Sequence, residues 1–314
     1  MEKASNLSSS FLLLGLVEME GLWYIYCFVC LITYTFIMIL SAIIVLVIMT
    51  KESLHEPMYV LICNLVINGI FGSSTFFPKL IADLFSSSKM ISRGSCLSQA
   101  FCVLFFAFFE ICTFTIMAYD RYLAVCYPLQ YVLIMTIEKT LTFIIASFAF
   151  TFTSVLVAIL LSARLPLCGS QIKNIFCDNM SFFILSCTDT SINNVYGAAV
   201  FMIFLVFTLL VITYSYLRIF VICFKISKHA CEKAIHTLVT HLLNFSIFLI
   251  GVLFIFIRYR LGNIDLPLGV QILLSATCLV IPPLLNPFIY GIRTKALKIK
   301  ISHFLQNVIV WNKL

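Results

Sequence analysis

The chain has 314 residues, of which 62% are hydrophobic and only 11% charged, and its mean hydropathy is +1.11. A soluble domain carries about 25% charged residues, so a water-soluble globular protein is excluded and an integral membrane protein is indicated. The net charge of +7 then matters for its sidedness across a bilayer, and nothing in the sequence supports nucleic-acid binding.

The first segment, Met1 to Glu20, is polar apart from the run Phe11–Val17. It lacks the basic stretch and cleavage pattern of a signal peptide, so the first span is expected to act as an uncleaved anchor. Crossing a hydrocarbon core of about 30 Å takes roughly 20 helical residues. Seven apolar runs qualify, at about Leu22–Met49, Met58–Leu84, Leu97–Tyr119, Thr140–Leu161, Val195–Phe224, Ala234–Ile257 and Leu268–Gly291. The second carries Asn64, Asn68 and Gly69, polar or small groups that belong in a bundle interior rather than against lipid. The expected fold is therefore an all-α membrane protein, a seven-transmembrane helix bundle over 22–291. Flanking it are an outer N-terminal tail over 1–21 and an inner tail over 292–314.

Orientation follows from the basic residues. Placing the N-terminus outside puts Lys51, Arg121, Lys139, Arg218, Lys225, Lys228, Lys233, Arg293, Lys295, Lys298, Lys300 and Lys313 on the cytosolic side, as the positive-inside rule prefers. The sequons at Asn6 and at Asn179-Met180-Ser181 then lie outside, with Asn6 the expected glycosylation site. Cys96, Cys168, Cys177 and Cys187 also lie outside, where disulfides form; four cysteines allow three pairings. Cys96 stands 25 residues before Arg121, roughly 37 Å along a helix, so a bond from it to the second outer loop would pin that loop over the bundle mouth.

The third span ends in Met117-Ala118-Tyr119-Asp120-Arg121-Tyr122, followed by Ala124, Cys126, Pro128-Leu129 and Tyr131. This stretch resembles the signature of vertebrate odorant receptors, a branch of the rhodopsin-like G-protein-coupled receptors. Further matches follow in order: Leu54-His55-Glu56-Pro57-Met58-Tyr59, Asn64-Leu65, Cys168-Gly169, Phe176-Cys177-Asp178, Leu185 to Thr190, Ser215-Tyr216, Lys233-Ala234, Thr237, His241-Leu242 and Pro282 to Tyr290. Leu54–Tyr59 and Asn68-Gly69 look closer to fish-type members. Leu238 and Leu249 depart from the pattern, standing where the family has a cysteine and a tyrosine.

The resemblance implies disulfides Cys96–Cys177 and Cys168–Cys187, a plasma-membrane location, and coupling to a heterotrimeric G protein of the stimulatory, cyclase-activating type. It implies a switch built from Asp120, Arg121, Tyr122, Tyr216, Asn286, Pro287 and Tyr290, in which Arg121 leaves Asp120 as the sixth helix swings outward and meets Tyr216 and Tyr290. The ligand is expected to be a small odorant in the outer half of the bundle. Val103, Leu104, Ala107 and Phe108 share a face of the third helix. Gly197, Phe201, Phe204, Val252, Leu253, Phe256, Ala276 and Leu279 stand at the same level on the fifth to seventh helices. Glu110, the one acid deep in a span, is a candidate proton or sodium site. Gly69 stands where the superfamily usually has an aspartate, which weakens the sodium reading. Arg258 and Arg260 mark the outer rim.

Past Tyr290, Leu297, Ile301, Phe304, Leu305 and Val308 recur at helical spacing among lysines, which predicts a short amphipathic helix on the inner leaflet. No cofactor or metal is expected. The histidines fall toward the cytosolic side, and neither His-Glu-x-x-His nor Gly-x-Ser-x-Gly occurs, so an enzyme is disfavoured. A transporter would show paired broken helices, and Asn286-Pro287 has no counterpart in the first half.

Overall fold

The computed structural model describes residues 10–225, 227–260 and 267–311. Asn6 and Lys313 lie outside these, as do the side chains of Lys233, Thr237, Arg258, Arg260, Arg293, Lys295, Leu305 and Val308. Seven helices are long and apolar enough to cross a membrane: α2 (Trp23–Thr50), α3 (Pro57–Phe85), α4 (Arg93–Cys126), α6 (Ile137–Ala163), α8 (Ser191–Cys223), α9 (Lys228–Arg260) and α10 (Leu268–Arg293). Large apolar side chains stay exposed around the bundle, among them Phe28, Leu210 and Ile250. Such a belt fits hydrocarbon, not water.

Most spans outrun the apolar stretches that announce them, because a helix stops at caps and prolines while an apolar run stops at charges. In α4, Ser92 caps the N-terminus by accepting from the Ser95 amide. The other end runs through Asp120 and Arg121 to Cys126, where Pro128 starts a separate short helix, α5 (Pro128–Ile134). Proline suits that first position because its missing N–H would be unpaired there anyway.

The end of the bundle bearing the disulfides holds the largest departure from the expected layout. Part of the run Phe11–Val17 is not free tail: β1 (Ser10–Leu13) pairs antiparallel with β2 (Met90–Ser92) and parallel with β3 (Gln171–Ile172). A turn of helix, α1 (Leu14–Glu18), follows. Phe11, Leu13 and Leu16 are buried, and the Phe11 ring meets Phe182 edge-on at 5.9 Å. Phe182 sits on α7 (Asn179–Leu185), capped by Asp178, whose carboxylate accepts from the Ser181 amide at 2.7 Å. This capping also corrects the second sequon. Asn179 is buried and its amide oxygen accepts from Ser162 at 2.6 Å, so that side chain is not presented for glycosylation.

Cys96 on α4 is joined to Cys177, and Cys168 to Cys187. The first ties α4 to the loop between α6 and α8. At the opposite end, α11 (Lys295–Trp311) packs against α2 and α10, burying Leu297 and leaving Lys298 exposed.

Close helix approaches rest on small residues. A β-carbon on Gly72 of α3 would stand 2.6 Å from the Phe106 ring, and Phe106 is fully buried, so the ring has nowhere to move. Gly72→Ala is therefore expected to destabilise the receptor by about 1–3 kcal/mol, read as a lower melting temperature of the purified protein. An unchanged melting temperature would show that Phe106 repacks freely.

Candidate functional site

The upper half of the bundle encloses a cavity of about 140 Å³ between α4, α6, α8, α9 and α10, roofed by residues 176 to 183. One water-sized sphere takes roughly 10–15 Å³ on this scale, so the space suits a ligand of on the order of ten non-hydrogen atoms. Val103, Leu104, Ala107 and Phe108 of α4 lie on its wall, with Gly197 and Phe201 of α8, Val252 and Phe256 of α9 and Leu279 of α10. The Phe201 and Phe256 rings stack at 4.0 Å and bridge α8 to α9.

Three candidates are not on the wall. Phe204 turns its ring onto Phe108 at 4.7 Å and Phe150 at 5.1 Å, supporting the wall from behind. Leu253 follows Val252 and so points about 100° away around the helix. On α10, Cys278 and Leu279 face the space in place of Ala276. Sequence reasoning also missed α6, which contributes Ser154, Val155 and Ala158, and the roof residues Phe176, Met180 and Phe183. Ser154 and Ala158 stand at the i, i+4 spacing of one helix face, which is the signal that was available.

Below the cavity sits a polar knot. Glu110 is fully buried. Its Oε2 accepts from Asn68 Nδ2 and its Oε1 from Asn286 Nδ2, both at 2.7 Å, while Asn68 also donates to the Phe106 carbonyl. Three helices, α3, α4 and α10, thus meet on one carboxyl group. Gly69 packs against Pro283 of α10 and supplies no second acid. With both oxygens engaged by amides, sodium is expected to raise the melting temperature of wild type no more than that of Glu110→Gln. A sodium-specific rise in wild type alone, against choline as the control cation, would place the ion at Glu110.

At the far end of α4 the buried Asp120 carboxylate holds Arg121, through Nε at 2.9 Å and through Nη2, and accepts from the Tyr131 hydroxyl at 2.7 Å. Burial and then the Asp120 charge push the Tyr131 phenol above its ordinary pKa, so it stays a donor. Tyr122 packs against Tyr127 and Tyr214. Tyr216 bonds not to Arg121 but to His241 Nδ1 of α9, a partner that reading the histidines only as a boundary group had overlooked. His241 is buried, edge-on to Phe114. Among the described residues the buried Tyr290 hydroxyl has no hydrogen-bond partner, and Asn286 is turned to Glu110. The structure therefore brings together Asp120 with Arg121, and Asn286 with Glu110, but holds Arg121, Tyr216 and Tyr290 each in separate arrangements.

Beside this end, α5 exposes Leu129, Val132 and Leu133 at 93%, 73% and 81%. They form an apolar face at i, i+3, i+4 that the motif alone did not reveal.

A family model described as olfactory receptor matches residues 26–308. The chain is 36% identical to human olfactory receptor 52B6 over 257 residues, covering 81% of this chain and 76% of the relative. It is 32% identical to human olfactory receptor 52D1, covering 96% and 95%, and 33% identical to mouse olfactory receptor 1E16, covering 95% and 94%. Among solved structures, squid rhodopsin superposes with a TM-score of 0.68 at 15% identity, over 92% of this chain and 87% of that one, a likeness of fold. The chain thus belongs to the olfactory receptor family, the odorant-sensing G-protein-coupled receptors of the plasma membrane, and is a seven-span signalling receptor and not an enzyme.

Proposed function

We propose that the cavity under residues 176–183 is the odorant site and that ligand binding there is passed down α4 to a stimulatory, cyclase-activating G protein. The observation that carries this reading is that one helix bears both ends of the mechanism: Val103, Leu104, Ala107, Phe108 and Ile111 line the cavity, and Asp120-Arg121 close the opposite end. The site is nearly all apolar, so affinity comes from shape and buried area. The arrangement is the resting one, with Arg121 on Asp120 and Tyr216 on His241. Outward motion of α9 would break the second contact and free Tyr216 for Arg121. The exposed Leu129 face of α5 then lies next to the freed arginine as a docking surface for the G protein.

The N-terminus lies outside in this reading, because the disulfides cluster at one end and the larger share of the basic residues at the other. Asn6 would carry the glycan, and α11 would rest its lysines near anionic lipid.

Cyclic-AMP responses to a panel of volatiles, acids, amines and amino acids test the proposal. Ala107→Phe, which fills the cavity from α4, is expected to weaken the response to an active panel member at least tenfold with surface delivery retained. An undiminished response would move the ligand elsewhere.

A further inference from the structure

We propose that Asn193 is the hydrogen-bonding anchor of this site, and that its ligands are uncharged molecules with a hydroxyl head and an aliphatic tail. The inference rests on the cavity being the ligand site and narrows what that site takes.

Asn193 lies in the first turn of α8, three and four residues before Tyr196 and Gly197, both of which line the cavity. The helical repeat puts it on the same face, one turn nearer the roof and just beyond the residues that line the cavity. It is 3% exposed, and among the described residues neither its amide nitrogen nor its amide oxygen has a hydrogen-bond partner. A buried side-chain amide left unpaired at both atoms is unusual in a folded protein.

The other polar groups of the roof are already committed. The Tyr196 hydroxyl donates to the Ser154 carbonyl at 3.0 Å. The amide oxygen of Asn179 accepts from Ser162. Asp178 accepts from the Ser181 amide and hydroxyl at 2.7 and 2.8 Å, and from Asn174 at 3.4 Å. Unlike Tyr196 and Asp178, Asn193 is buried with both its donor and its acceptor unpaired.

Its chemistry selects the head group. An amide offers one kind of donor and one of acceptor side by side. A hydroxyl uses both, donating to Oδ1 while accepting from Nδ2, whereas an ether or ketone accepts only and leaves Oδ1 unpaired. A carboxylate finds no cation among the described lining residues, and an ammonium finds the Asp178 carboxylate occupied by its own capping turn. Below the head, Leu104, Phe106, Val252 and Leu279 offer only apolar contact to the tail.

The test compares 1-octanol with heptyl methyl ether, which has the same number of heavy atoms, by thermal stabilisation of the purified full-length receptor. Wild type is expected to bind the alcohol about tenfold more tightly than the ether, the worth of one well-made amide–hydroxyl pair. Asn193→Leu should erase that gap by weakening the alcohol alone. Equal binding of the two by wild type, binding of neither, or a gap that survives in Asn193→Leu overturns the proposal; the wild-type comparison needs no variant to fold. The broader reading is judged separately, since an Arg121-dependent cyclic-AMP response to any other panel member upholds it while the hydroxyl anchor fails.

Discussion

An Arg121→Ala receptor is expected to reach the cell surface, bind its ligand as wild type does, and give no ligand-dependent cyclic-AMP signal. Arg121 sits at the end of α4 remote from the cavity, and none of the residues lining the cavity touches it. Its partner in the structure is Asp120, which is 1% exposed and takes a further hydrogen bond from Tyr131. In the proposed mechanism the pair is a clasp whose release makes the arginine available, so removing the arginine would remove the group offered to the G protein. Removing the other half should act oppositely. Asp120→Asn keeps the shape and the Tyr131 contact but weakens the hold on Arg121. Charge-assisted hydrogen bonds contribute about 1.5–3 kcal/mol when buried; the guanidinium is partly exposed, so about 1–2 kcal/mol is the reasonable expectation. That shifts the active-to-resting ratio roughly 5- to 30-fold, seen as raised basal cyclic AMP. A full response surviving in Arg121→Ala would remove the clasp from the mechanism.

How much of this was readable in the sequence divides along a physical line. The spans were, because about 20 consecutive apolar residues have few fates other than crossing a bilayer. The position of Glu110 as a buried, exceptional acid was equally clear, since a carboxyl group in such a run must find internal partners. Which partners it finds was half-visible: Asn68 belongs in the bundle interior by its place in the second span, whereas Asn286, expected as a member of the switch, reaches across to Glu110. Contacts of that kind depend on helix rotation, which charge and hydropathy fix only to within a residue or so. The same uncertainty explains Leu253, which is one step around the helix from Val252.

The sheet over the bundle mouth was not readable at all. Phe11 to Leu13 has no neighbour nearby in the chain; its partners are residues 90–92 and 171–172, brought to it only once α3, α4 and α6 have assembled. The family motif predicted a switch of seven residues but left His241 without a role, because a matched histidine carries no statement of what it touches.

The second large effect concerns the roof. Removing the bond between α4 and the loop with Cys96→Ser/Cys177→Ser is expected to destabilise the receptor more than any single change in the cavity wall. The bond closes a loop of 81 residues, against 19 for Cys168–Cys187. In the chain-entropy model these closures are worth about 4.5 and about 3 kcal/mol. Folded proteins hold only about 5–15 kcal/mol in total, so losing the first should largely abolish surface delivery, while Cys168→Ser/Cys187→Ser should give an intermediate level. Replacing both cysteines of a pair avoids a stray thiol that could pair wrongly. The damage also reaches the site, for Cys177 lies between Phe176 and Asp178, both lining the cavity, and its amide donates to Gln99 of α4 at 2.9 Å. Any receptor that does reach the surface should therefore respond with reduced potency, its roof no longer tied covalently to α4. Flow cytometry for delivery and the cyclic-AMP concentration–response curve separate the two losses. Equal delivery by the two double variants would show that loop length does not set the contribution of each bond, and that the strand pairing of β1 supports the roof without the bond to Cys96.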